Sequence, residues 1–305
     1  MNALLGQVLD AHGGLERWRR YNKVEATIVT GGGFFPLKGV LQDRNPRRMT
    51  VWLHEERSSV TPYGAPDQRT MFTPDRIAIE KLDGTLVAER FAPRDSFAGH
   101  QMHTHWDPLH RAYFNGEAVW TYLTTPFLLA MDGVRVEETE PWREGAETWR
   151  VLRAYFPGWM ETHCMVQDFF FGEDMMLRRH DYSVNVAGGF PAAQLTSDYI
   201  EADGISSPEH TACLHAGSRS PAHHGHADGL DRLQRGRLHV IIRPRTEALP
   251  TPRRLALARE PAAELAAITS SLFLRYRPRG FKVGAEVLSH LLNDDHNLIT
   301  DSFSG

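Results

Sequence analysis

The aromatic residues of this chain run out before its end. All seven Trp lie at or before Trp159, and no Phe, Trp or Tyr occurs from Pro208 to Leu272. Aromatic side chains dominate the burial that builds a core, at about 150–250 Å² each. A packed core is therefore expected in residues 1–207 and a poor one beyond. Charge changes at the same place. Residues 208–305 hold 13 of the 34 basic and 10 of the 38 acidic residues, which makes them net +3 and leaves residues 1–207 net −7. The expected organisation is a domain over residues 1–207 and a poorly ordered C-terminal tail over 208–305. Within that tail, residues 208–255 read as a loop rich in Arg, His, Pro, Gly and Ala. Residues 256–276 have the composition of a helix.

Whole-chain composition excludes several classes. A net charge of −4 argues against a general nucleic-acid binder. Two cysteines, Cys164 and Cys213, make no disulfide framework and fit a reducing compartment. The longest apolar stretch, residues 123–131, is too short to span a bilayer. Residues 1–9 lack the basic start of a signal peptide, so the expected location is cytoplasmic.

Periodicity supplies the elements. Leu4, Val8, Ala11, Leu15 and Trp18 recur at helical spacing, and Gly13-Gly14 divides them into two short helices. A β-rich stretch follows over residues 24–30 and 34–41. Residues 76–81 and 85–91 flank Asp83-Gly84, a hairpin turn signal. Asp107 can cap a helix with Pro108 at its first position, continuing to about Ala130 with interruptions at Gly116 and Pro126. Strands resume over residues 134–140, 147–156, 165–171, 176–186 and 193–201. In the fourth of these, Met176, Tyr182, Val184 and Val186 share one face, and Arg179, Asp181, Ser183 and Asn185 the other. The order helix, meander, central helices, meander predicts an α+β fold. Its form is a curved antiparallel sheet, an incomplete barrel, wrapped around helices.

Certain residue groups also carry a family likeness. They are Ala11-His12-Gly13-Gly14-Leu15-Glu16-Arg17-Trp18 before a strand, Trp106-Asp107 leading to Ala112-Tyr113-Phe114 and Trp120-Thr121-Tyr122, and Leu177-Arg178-Arg179-His180-Asp181-Tyr182 on a late strand. Together they make residues 3–207 resemble an uncharacterised bacterial branch of the LolA/LppX-like lipoprotein-carrier superfamily. The resemblance implies an incomplete antiparallel barrel around helices, with an apolar cavity that holds acyl chains. It also implies an Arg-rich and then an apolar strand after about Gly204, and residues 208–305 do not read as either. Dropping one base near codon 208 restores an apolar strand on paper. The tail therefore reads as frameshifted or read-through sequence, which would leave the sheet with an unpaired edge.

Candidate sites follow. Trp106, Tyr113, Trp120 and Phe127 repeat every seven residues, an aromatic stripe that either buries on the sheet or lines a small-molecule pocket. They are the ligand-binding residues expected here. His100, His103 and His105, with Asp107 and His110 nearby, form the densest set of metal-ligand types. Their spacing matches no known signature, and Asp107 is better explained as a helix cap. His210, His215, His223, His224 and His226 form a second run, of the kind that binds metal adventitiously. His163 and Cys164 are adjacent, so on a strand they point to opposite faces and make a poor nucleophile pair. No catalytic residue and no cofactor is picked out. The expected function is a binding protein for an apolar or amphipathic, lipid-like molecule in a half-barrel cavity. The alternatives are a metal-dependent hydrolase built on the His cluster and a protein-interaction module of unknown partner.

Overall fold

The computed structural model describes residues 2–41, 43–215 and 232–244. The chain opens with α1 (Ala3–Ala11) and α2 (Leu15–Trp18), then β1 (Tyr21–Gly31) and α3 (Phe34–Leu37). Five strands follow: β2 (Arg47–Trp52), β3 (Arg57–Thr61), β4 (Gln68–Thr73), β5 (Arg76–Lys81) and β6 (Leu86–Phe91). The long helix α4 (Pro108–Thr124) is next. Seven further strands complete the described residues: β7 (Arg135–Glu144), β8 (Glu147–Tyr155), β9 (Val166–Phe171), β10 (Leu177–Val184), β11 (Phe190–Ala202), β12 (Ile205–His215) and β13 (Arg232–Pro244). They form one antiparallel sheet in the order β6-β5-β4-β3-β2-β1-β13-β12-β11-β10-β9-β8-β7. β6 and β7 are its two edges and do not pair with each other, so the barrel is incomplete, as the sequence pattern predicts.

Helix α4 occupies the hollow of this sheet. It starts where Asp107 accepts from the His110 amide at 2.8 Å, and the His110 ring accepts from the Asp107 amide at 3.2 Å. Thirteen of its residues are buried, as expected of a helix held within the curve of a sheet. Gly116 sits mid-helix because the sheet comes too close for anything larger: a Cβ there would lie 2.5 Å from Phe72. Tyr113 meets Phe72 edge-on at 5.6 Å. Trp120 donates through Nε1 to the carbonyls of Trp52 and Glu55. Each large apolar side chain withdrawn from water here contributes about 1.5–3 kcal/mol. The N-terminal helices close one end. Trp18 stacks on Phe127 at 4.3 Å, and the Ser206 amide donates to the His12 carbonyl at 3.1 Å. The turn passes so close that a Cβ on Gly13, already at φ +112, would fall 2.1 Å from the Gly204 carbonyl oxygen.

Several expectations are met and several corrected. The Asp83-Gly84 turn joins β5 to β6, with the Asp83 carboxylate accepting from the Thr85 amide at 2.9 Å. The helix expected to reach Ala130 ends at Thr124, and Phe127–Ala130 is a separate 3-10 turn. Residues 34–41 were expected as strand. They begin with α3 instead, because Phe34 and Phe35 turn inward together onto Phe114. The expected boundary at residue 207 falls inside β12, and Arg232–Pro244 is a strand rather than loop. The two strands missing from the sequence reading are thus present: β12 pairs with β11, and β13 pairs with both β12 and β1. No unpaired edge is left at that place. The readings of residues 216–231 and 245–305, among them His223, His224 and His226, lie outside the described residues.

Candidate functional site

One face of α4 packs on β2–β6, and along the neighbouring face a cleft separates part of the helix from the sheet. Phe114, Ala118, Val119, Tyr122 and Leu123, spaced along one side of the helix, look across a cleft at Ile28 of β1 and Met49 of β2. Gln194 of β11 and Pro208, Thr211 and Cys213 of β12 form the far wall. About 760 Å³ of space lies between these walls, open solvent included, and the lining is mainly apolar, as in small-molecule sites. A smaller recess of about 350 Å³ shares Tyr122, Gln194, Pro208 and Thr211, and adds His12, His180 and Tyr199.

A buried polar chain reaches the cleft from the core. Glu117 and His163 have no exposed side-chain surface, and His163 Nδ1 lies 3.1 Å from Glu117 Oε1. The contact is close but off the direction of an aligned hydrogen bond. On its other side, His163 Nε2 is 2.9 Å from the Tyr122 hydroxyl. Tyr122 and Tyr182 hydroxyls are 2.8 Å apart, and Tyr182 reaches the Cys213 thiol at 3.5 Å. With the ring proton on Nδ1, facing Glu117, His163 accepts from Tyr122 and each later group donates inward. The Tyr122 hydroxyl is thereby engaged on both sides. Burial holds both phenols well above their ordinary range and pushes the Cys213 thiol up to about 11, so all three stay protonated. These are hydrogen-bonding groups and not nucleophiles at neutral pH. His180 is fully buried, and burial drives it well below its ordinary value; its Nε2 is 2.6 Å from Gln167 Oε1.

The four residues of the expected aromatic stripe occupy other places. Trp106 precedes α4 and packs against Phe97 and Phe114 at 5.5 and 5.3 Å. Tyr113 and Trp120 face β2–β5, and Phe127 lies under Trp18. All four are in the core, and none borders the cleft. The seven-residue spacing holds on the helix only for Tyr113 and Trp120, and these mark the sheet-packed face. His100 meets Phe97 edge-on and lies tilted against His110, and His105 lies against Gly39. Among the described residues no group of three His, Cys, Asp or Glu side chains is placed to hold a metal ion, so His100, His103 and His105 are not brought together as ligands. Cys164 is bonded to the Ser183 amide and the Val166 carbonyl, apart from His163's contacts. Glu117 and Tyr122 were missed in the sequence. The one signal was a carboxylate amid the apolar residues of α4.

The fold and cleft define an open antiparallel half-barrel with an apolar hollow beside its central helix. No protein-family model and no curated protein matches the chain. A LolA superfamily protein from Nitrosomonas europaea is similar over 76% of this chain and 89% of its own, with 10% identity and a TM-score of 0.42. A DUF1329 family protein from Desulfovibrio piger covers 76% and 89%, with 9% identity and a TM-score of 0.41. A domain named for outer membrane lipoprotein sorting, from Vibrio parahaemolyticus, covers 76% and 93%, with 10% identity and a TM-score of 0.40. The superfamily named from the sequence is among these neighbours, while the fold itself rests on the strand order above. The cytoplasmic location expected from the sequence is not carried forward, since one neighbour is a domain named for outer membrane lipoprotein sorting. Among the described residues no helix is long and apolar enough to cross a membrane.

Proposed function

We propose that the chain binds an apolar or amphipathic small molecule, lipid-like in character, in the hollow between α4 and the sheet. The observation that carries this reading is the second face of α4. Ala118, Val119 and Leu123 are drawn inside the sheet's curve and are buried, yet they border the cleft. A cleft lined in this way suits an apolar occupant. The polar groups are few and convergent, with Tyr122, Gln194 and Asn115 on the lining, which suits a molecule that is mostly hydrocarbon.

Native mass spectrometry of the full chain tests it, because β13 contributes to the sheet and a shorter piece would remove a wall. Co-purified mass, or stoichiometric uptake of the neutral dye Nile red, is expected. A clean unliganded mass with no dye uptake overturns the reading.

A further inference from the structure

At one end of the hollow, buried donors lack acceptors. Arg47 on β2 has no exposed side-chain surface. One of its nitrogens, Nη2, donates to Thr30 Oγ1 at 2.9 Å, and Thr30 borders the hollow. Its Nε and Nη1 have no hydrogen-bond partner. The carboxylate beside it, Asp43, stops 4.0 Å away from Nε and already accepts from the Asn45 amide. Arg111, in the first turn of α4, is 6% exposed, and its Nε is also without a partner. Its guanidinium lies over the Tyr63 ring at 5.0 Å and near Phe35 at 5.4 Å. One turn further along the same face, Asn115 borders the hollow, is 5% exposed, and has an unpartnered Nδ2.

Buried donors without acceptors are uncommon, and buried cations without a closely paired carboxylate more so. Here Arg47, bonded to Thr30, and Arg111, one turn before Asn115, stand behind two polar residues that border the apolar cleft. The arrangement is unfavourable in an empty protein and becomes favourable when an anion arrives.

We propose that the end of the hollow bordered by Thr30 and Asn115, with Arg47 and Arg111 behind them, holds an anionic oxygen headgroup, a carboxylate or a phosphate, of an amphipathic ligand whose hydrocarbon lies along α4. The assignment rests on the cavity reading above and narrows it to one ligand chemistry. Arg47 and Arg111 supply charge-assisted N–H bonds, Asn115 a neutral one, and Ala118, Val119 and Leu123 the apolar track.

Nile red displacement from the full chain tests it, with oleate, oleyl phosphate and oleyl alcohol as competitors. The tails are alike, so only the headgroup differs. At least one anion is expected to displace the dye at about a tenfold lower concentration than the alcohol. Which anion does so distinguishes a carboxylate from a phosphate. R47M and R111Q are each expected to bring that anion to the level of the alcohol, while the alcohol reports that the apolar track persists. Thermal unfolding adds a readout that separates the roles. A cation kept for a ligand can be replaced by Met with little loss of unliganded stability, whereas one kept for structure cannot. Equal displacement by all three competitors overturns the headgroup assignment and leaves the cavity reading standing. Variants that keep the anion preference do the same. Failure of Nile red and all three competitors to bind overturns the cavity reading, and this assignment with it.

Discussion

His163 Nδ1 approaches Glu117 Oε1 to 3.1 Å at a point where neither side chain touches solvent. The pair links the middle of α4 to the segment before β9, and Tyr122 carries the contact on toward the cleft. Two ionisable groups inside a core stabilise each other only as a pair. Removing one leaves the other buried and uncompensated, at about 3–5 kcal/mol. His163→Leu and Glu117→Leu are each expected to lose about that much in urea unfolding, and the double variant distinctly less than their sum. Strictly additive losses would show that the two do not act as a pair.

Gly116 inverts the usual helix rule. In an open helix, Ala in place of Gly gains about 1 kcal/mol. Here the added Cβ would come within 2.5 Å of both Cβ and Cγ of Phe72, so ring and helix must move apart. Overpacking of this kind costs about 1–3 kcal/mol. Gly116→Ala is expected to lower the melting temperature. A raised melting temperature would mean that the sheet yields freely at β4.

Glu56 sets a pH dependence. Burial pushes its carboxyl up to about 9, with Glu117 and Glu161 adding to the effect and Arg94 and the Glu161 amide opposing it. The ordinary value is 4.5, so between about pH 4.5 and 9 the folded chain holds a proton that the unfolded chain releases. The sign follows: this contribution is full below pH 4.5 and shrinks as pH rises, by up to about 1.4 kcal/mol per unit. Glu56→Gln removes that slope. Its stability relative to the unchanged chain should therefore improve from pH 5.5 to pH 8 in urea titrations. A difference that does not vary with pH would contradict the assignment.

Filling the hollow should abolish binding while keeping the fold. Ala118 borders the cleft between α4 and the sheet. Ala118→Trp projects a ring into that space, and Nile red uptake is expected to fall at least tenfold with circular dichroism unchanged. Undiminished uptake would place the dye elsewhere.

Local signals made much of the frame readable in advance. Asp107-Pro108 announced α4, Asp83-Gly84 the hairpin, and the alternation around Tyr182 the wet and dry faces of β10. What escaped depended on distance. Gly116 looks like an interruption until Phe72 is seen against it, 44 positions away in the chain but in contact in the fold. The stripe through Tyr113 and Trp120 gave the helix phase correctly, yet periodicity alone does not say which side faces protein and which faces space. Arg47 and Arg111 belong to different elements, and nothing in the order of residues joins them. β12 carries no aromatic residue, and it is held by ladders on both sides.

The position of β13 sets an order of events during synthesis. The strands of the first half end at β1, those of the second half at β12, and among the described residues β13 is the strand that pairs with both. Until residues 232–244 leave the ribosome, a nascent chain can at most form two separate six-stranded pieces, each with a bare edge exposed. The cleft draws Ile28 and Met49 from one piece and Gln194 and Thr211 from the other. A ligand arriving early would find half a container, so the capacity to hold cargo matures at the last seam to be stitched.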